Sequence, residues 1–208
     1  MWVLVGLGNP GKKYAKSRHN VGFVLIQRLA DKNNVKLKKR RYSAKAAQAE
    51  MANGPALLVK PWTYMNRSGV AVKGIIERTG VNMDRLLVVY DDLDIPLGEI
   101  RIRKAGGPGT HKGMASIIQE IESTEFPRIR IGIGPLPPGV DATDYVLDGF
   151  QKEENPTLEG CLTTAEEAVD LIMMSGIDDA MNRFNRRAAP IQRKPDPPQH
   201  KGISKTEE

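Results

Sequence analysis

A single cysteine, Cys161, stands among 208 residues. It can form no internal disulfide, and no Cys/His spacing in the chain suggests a zinc site. No apolar run approaches the roughly 18 residues of a membrane span. The opening Met1-Trp2-Val3-Leu4-Val5-Gly6 lacks a basic stretch and a cleavage site and enters a strand-like run at once, so no secretory leader is expected. Glycine (20) and proline (14) are too few for a collagen-like or low-complexity chain, and no internal repeat is found. These absences predict a soluble, cytoplasmic chain without structural metal.

What is present is a hydrophobic fraction of 40%, enough for one sizeable core, and a charge excess of one sign. Lys and Arg number 31 against 25 Asp and Glu, a net +6. Seven basic residues and no acidic one lie between Lys32 and Lys45, and Lys12, Lys13, Lys16 and Arg18 form a second cluster. Such clusters attract polyanions, nucleic acid above all, although a solvated basic face has the same composition.

The patterning alternates strands with helices. Val3–Leu7 reads as a buried strand ending in Gly6-Leu-Gly-Asn-Pro-Gly11, followed by a helix over Asn20–Asp31 with Val21, Val24, Leu25 and Leu29 on one face. Ala44–Met51 and Ala56–Val59 read as a hairpin about Asn53-Gly54. Ser68 is expected to cap a helix that runs to Thr79 and stops at Gly80. Leu86–Tyr90, Glu99–Arg103 and Ile129–Ile133 read as strands. Met114–Ile121, Pro156–Ser175 and Ile177–Asn185 read as helices. The order predicts a single α/β domain over residues 1–187, a twisted, mostly parallel mixed sheet with helices on both faces. Residues 188–208, with four prolines and little apolar periodicity, read as a flexible tail.

Gly6-x-Gly8-x-x-Gly11 after a strand formally matches a dinucleotide fingerprint. That fingerprint needs a helix to start within the glycines and face a pyrophosphate. Here Pro10 interrupts, Lys12–His19 carries no apolar stripe, and Asp31 closes a helix instead of ending a second strand. A nicotinamide enzyme is a distant reading.

Asn9, His19, Asn66 and Asp91 flank predicted core elements, where an open α/β sheet builds its ligand cleft. A histidine with a carboxylate can act as general base, and amides can donate to a carbonyl or an oxyanion. No Gly-x-Ser-x-Gly elbow supplies a nucleophile, so water attack on an ester or amide is the simplest chemistry. Taken singly, each residue reads equally as a cap, a turn former or a surface acid.

Joint evidence comes from motifs. Gly6-Leu-Gly-Asn-Pro-Gly11 with Tyr14 and Ser17-Arg-His-Asn20 resembles the opening of the bacterial-type peptidyl-tRNA hydrolase family. Lys60-Pro-Trp-Thr-Tyr-Met-Asn-Arg-Ser-Gly69, Asp91-Asp-Leu-Asp-Ile-Pro-Leu-Gly98 and Arg128-Ile-Arg-Ile-Gly-Ile-Gly134 are similar to its later signatures, in order. The resemblance implies hydrolysis of the ester joining a peptide to tRNA, which recycles tRNA from aborted translation. It implies His19 as general base, Asp91 as the residue holding it in its basic form, and Asn9 as the reader of a blocked aminoacyl group. Tyr14, Tyr64 and Asn66 become substrate contacts. Arg103, Lys104, Arg128 and Arg130, near the Gly106–Gly113 loop, are expected to grip the tRNA backbone in part. No cofactor, metal or membrane is expected, and the chain is expected to be a monomer. The alternative is a non-catalytic RNA-binding relative of the same fold.

One position departs from the pattern. Where the family usually reads Gly-His-Asn-Gly, this chain has Thr110-His-Lys-Gly113. Lys112 thus replaces an amide that lines the cleft, and is expected to meet a substrate anion or the ester oxygen.

Overall fold

The computed structural model describes residues 1–40, 42–51 and 53–185. The strands are β1 (Trp2–Gly6), β2 (Lys38–Arg40), β3 (Ala44–Met51), β4 (Gly54–Pro61), β5 (Leu86–Pro96), β6 (Ile100–Arg103) and β7 (Arg128–Gly134). The helices are α1 (Val21–Lys32), α2 (Ser68–Thr79), α3 (Lys112–Ile121), α4 (Ala142–Leu147), α5 (Asn155–Ser175) and α6 (Ile177–Phe184). The seven strands form one sheet in the order β2-β3-β4-β1-β5-β7-β6. Its centre, β4-β1-β5-β7, is parallel, whereas β2, β3 and β6 join antiparallel at the two edges.

Helices cover both faces, as the alternating pattern predicts. On β5, Leu87 and Val89 point into a core shared with Leu25, Leu29, Leu162 and Val169 of α1 and α5. Leu86, Val88 and Tyr90 point the other way, toward Val72, Met114 and Ile117 of α2 and α3. This is the two-residue period of a strand buried on both sides. Arg130 is separated in the same way from Ile129 and Ile131, both of which lie in the α1 core.

The glycines of the first loop serve packing. A Cβ on Gly6 would stand 2.1 Å from the Gly22 carbonyl oxygen, and one on Gly22 would stand 2.5 Å from that of Val89. The start of α1 therefore lies directly against β1 and β5, and the Gly-x-Gly spacing answers to helix–sheet contact, not to a pyrophosphate.

Three elements differ from expectation. Ser68 is the first residue of α2, not its cap; its hydroxyl turns back to the Met65 carbonyl, 2.8 Å away, because a 3-10 turn over Met65–Arg67 already leads into the helix. Gly80 does end α2 in the left-handed conformation, φ 62°. The basic run supplies β2, with Lys39, Lys45 and Lys60 in one row across three strands. Helix α4 also escapes the periodic pattern, being a six-residue element capped by Asp141. The proposed tail, 188–208, lies outside the described residues.

Candidate active site

A cleft of about 1000 Å³ opens beyond the carboxyl ends of β1, β4 and β5 and over the β7 floor. Every expected substrate residue lines it: Asn9, Tyr14, His19, Tyr64, Asn66, Asp91 and Lys112. None of Lys32–Lys45 does so among the described residues.

The loop after β1 carries Asn9 and is held rigid by Asn20. The Asn20 Oδ1 accepts the Asn9 backbone N–H at 2.7 Å, and its Nδ2 donates to the Asn9 carbonyl at 3.0 Å. The Asn9 Oδ1 in turn accepts the Met65 N–H at 2.8 Å. That leaves the Asn9 amide N–H groups as its free donors at the cleft wall.

His19 sits in the 3-10 turn Arg18–Asn20 just ahead of α1 and is 9% exposed. Its Nδ1 lies 2.9 Å from both carboxylate oxygens of Asp91, 72 residues further on. Asp91 continues the row of Leu87 and Val89 along β5, which turns its side chain toward the α1 side. It is 3% exposed. Burial alone would raise this carboxyl, but the charges and hydrogen bonds of His111 and His19 outweigh it and hold the group well below the usual carboxylate range.

Composition gave no role to His111, although it sits in the loop motif. Its Nε2 lies 3.1 Å from Asp91 Oδ1, and its Nδ1 accepts the Met114 N–H at 3.2 Å, capping α3. Tautomers follow from the partners. A nitrogen that accepts carries no proton, so His111 bears its proton on Nε2 and donates to Asp91; His19 donates from Nδ1, leaving Nε2 with a free lone pair. Ligand atoms of His19, Asp91 and His111 all lie within 4.8 Å of one another, as in a metal site. Their N···O separations are those of direct hydrogen bonds, and His19 Nδ1 and His111 Nε2, the atoms nearest the carboxylate, are both spent on it. The group fits a proton-holding relay better than a metal cradle.

The turn bearing His19 is braced from far along the chain. The Arg18 N–H donates to the Asp148 carbonyl at 2.9 Å, and Ser17 bridges Gly149. The Arg18 guanidinium, buried, packs 4.4 Å from the Tyr145 ring centroid and 4.7 Å from that of Phe150, and pairs with Glu154 at 2.9 Å. Among the expected backbone-binding cations, Arg103 is exposed on the cleft. Arg130 also lines it, paired with Asp92 at 2.5 Å. Arg128 is 1% exposed, its guanidinium donating to the carbonyls of Gly106, Thr124 and Phe126, so it holds the glycine loop. Lys104 stands off the cleft with Asp178, 2.7 Å away.

A histidine held against a buried carboxylate at a cleft above the ends of parallel strands makes this an open α/β protein with a pairing of the kind that can serve as a general base. The Peptidyl-tRNA hydrolase family model matches residues 3–193. A peptidyl-tRNA hydrolase of Alkaliphilus oremlandii is 46% identical over 185 residues, covering 89% of this chain and all of the relative. One from Chloroflexus aggregans is 44% identical over 186 residues, covering 89% and 99%. The crystal structure of the Acinetobacter baumannii peptidyl-tRNA hydrolase matches with a TM-score of 0.82 at 34% identity, over 89% of this chain and 94% of that one. The chain belongs to the peptidyl-tRNA hydrolase family.

Proposed function

We propose that this chain hydrolyses the ester between a peptide and the terminal ribose of tRNA, with His19 as general base and Asp91 as its support. The observation that carries the reading is the His19–Asp91 pair, whose geometry commits the imidazole proton to Nδ1 and leaves Nε2 to take a proton from water. The hydroxide formed attacks the ester carbonyl carbon. The tetrahedral oxyanion collapses with cleavage of the bond to the ribose oxygen, which takes the proton back from His19. The products are a free peptide acid and tRNA with its hydroxyl restored.

The remaining residues fit this chemistry by their polarity. The free amide N–H groups of Asn9 suit the carbonyl of a peptide-blocked substrate and offer nothing to a free α-ammonium, which itself only donates. Asn66 and Lys112, exposed on the same cleft, are donors for the ester oxygen or a phosphate of the acceptor end. Tyr14 and Tyr64 supply flat walls for the terminal nucleotide or the peptide. Arg103 and Arg130 extend the positive surface along the cleft floor toward the tRNA backbone. No step calls on a metal or cofactor. All the groups the reaction needs line a cleft built by one chain, and among the described residues no helix is long and apolar enough to cross a membrane. A cytoplasmic location and a monomeric state belong to this proposal.

The test is release of peptide from N-blocked aminoacyl-tRNA by purified protein. His19→Ala should lower turnover by about two to four orders of magnitude, the usual range for a lost general base. Binding of tRNA should survive. Retention of most of the activity would sink the mechanism. A wild-type protein that bound tRNA without releasing peptide would favour the RNA-binding relative instead.

A further inference from the structure

His111, half-buried, packs against Asp91 and Tyr90 and is not needed to take or give the reacting proton. Its two ring nitrogens are nonetheless both committed. Nδ1 is held as an acceptor by the Met114 N–H, which belongs to the first turn of α3 and points along the axis of that helix. Nε2 must then carry the proton and meets Asp91 Oδ1 at 3.1 Å. The same oxygen lies 2.9 Å from His19 Nδ1. The rings of the two histidines stand 4.9 Å apart and tilted by 54°, so they share the carboxylate without stacking. The Tyr90 ring, 4.8 Å from that of His111, closes the other side.

We propose that His111 is a positioning residue, locked in one tautomer by α3, which fixes the Asp91 carboxylate and tempers its pull on His19. The inference rests on the reading of His19 as general base. Asp91 has two donors and one charge. Each N–H it accepts draws part of that charge, so the bond from His111 limits how strongly Asp91 favours the imidazolium form of His19. A base held too tightly protonated cannot act near neutral pH, and a carboxylate free to swing cannot aim the ring. A proton on Nδ1 would meet the Met114 N–H head-on and remove the cap of α3, so the ring keeps its proton on Nε2.

Other ionisable groups face this trio. Asp92 is paired with Arg130, and Arg128 is tied to carbonyls. Asp94, Arg67, Arg103 and Lys112 line the open part of the cleft with the phenols of Tyr14, Tyr64 and Tyr90. Arg18 lies beside His19 in sequence and is paired with Glu154. All of them are common to the wild type and a His111 variant, so a difference between the two pH profiles reports on His111.

The experiment compares wild type with His111→Asn. Asparagine is a strong helix cap but too short to reach Asp91, so it keeps the end of α3 and removes only the second donor. The variant should lose about 10- to 100-fold in kcat with KM nearly unchanged. The acid-side fall of kcat/KM should move to higher pH by about half a unit or more, since Asp91 then acts on His19 alone. Wild-type kcat and an unmoved acid limb in a folded His111→Asn protein would overturn the proposal. Nitrogen-15 shifts of the unmodified protein provide a second measurement that needs no variant. They should show the His111 proton on Nε2, and a proton on Nδ1 would overturn the proposal equally. If instead His19→Ala keeps its activity, the failure belongs to the general-base reading and not to the role of His111.

Discussion

Asp91→Asn is the sharpest test of the centre, because the exchange keeps shape and removes charge. The carboxylate now accepts from His19 Nδ1 and His111 Nε2 at once. An amide has one acceptor oxygen, and its NH2 takes the place either of Oδ2, which faces His19, or of Oδ1, which faces His111 and His19 together. If it faces His19, that ring has to move its proton to Nε2, and the basic lone pair leaves the cleft. If it faces His111, that ring has to put its proton on Nδ1 and break the α3 cap. One charge-assisted hydrogen bond is lost either way, about 1.5–3 kcal/mol, which converts to about 10- to 150-fold in rate. The imidazolium formed during water attack also loses its counter-charge, so the total should reach about 10² to 10⁴. The assay is single-turnover release of peptide from N-blocked aminoacyl-tRNA at saturating enzyme, where only the chemical step is read. A thermal melt beside it checks the fold. An Asp91→Asn protein within threefold of wild type would refute the relay.

Three further outcomes are expected. Burial, with Lys45 opposite, lowers Lys60 to about 8 from an unfolded value of 10.5; a lowered lysine costs stability fully below pH 8, and the cost fades as pH rises from about 8 to 10.5. Lys60→Met should therefore gain about 1–3 kcal/mol at pH 7 and almost nothing at pH 10.5, and equal gains in denaturant titrations at both would contradict this. Lys112→Ala should raise KM for peptidyl-tRNA, while Lys112→Asn should preserve function with a shallower salt dependence; kinetics at two salt concentrations decide, and unchanged parameters in Lys112→Ala would make the residue a bystander. Gly22→Ala would place a Cβ 2.5 Å from the Val89 carbonyl oxygen and 2.6 Å from the Leu7 nitrogen, so it should destabilise by about 3 kcal/mol. A loss below about 1 kcal/mol in urea unfolding would show that α1 can lift from the sheet.

The sequence was most readable where period and side-chain chemistry agreed. Val21, Leu25 and Leu29 marked α1, and the continuous apolar run Leu86–Tyr90 marked a strand buried on both sides. Helix α4 was hidden because it presents one buried side chain, Tyr145, and is too short to show a period. The expected cleft residues meet in space because they sit at strand ends, a rule of topology. What pairs with what was not legible. Asn20 clamping Asn9, His111 turning its Nε2 on Asp91, and Arg128 spending its guanidinium on loop carbonyls are side-chain pairings that no periodic pattern announces. A basic residue near the cleft read as a hand for RNA, yet burial decides whether the hand is free. Arg103 is exposed on the cleft, and Arg128 is committed inside.

The brace on Arg18 has a consequence in time. His19, the proposed base, precedes by more than 120 residues Tyr145, Asp148, Phe150 and Glu154, which hold its turn. Strand β7, which flanks Asp91, also follows it. Chains emerge and begin to fold from the N-terminus, so until residue 154 has emerged the turn that carries His19 lacks the groups that brace Arg18. A growing copy of this protein is itself a peptide esterified to tRNA. An enzyme competent before those residues are made would be loose among translating chains, its own included; one whose proposed base is braced by later residues waits for them.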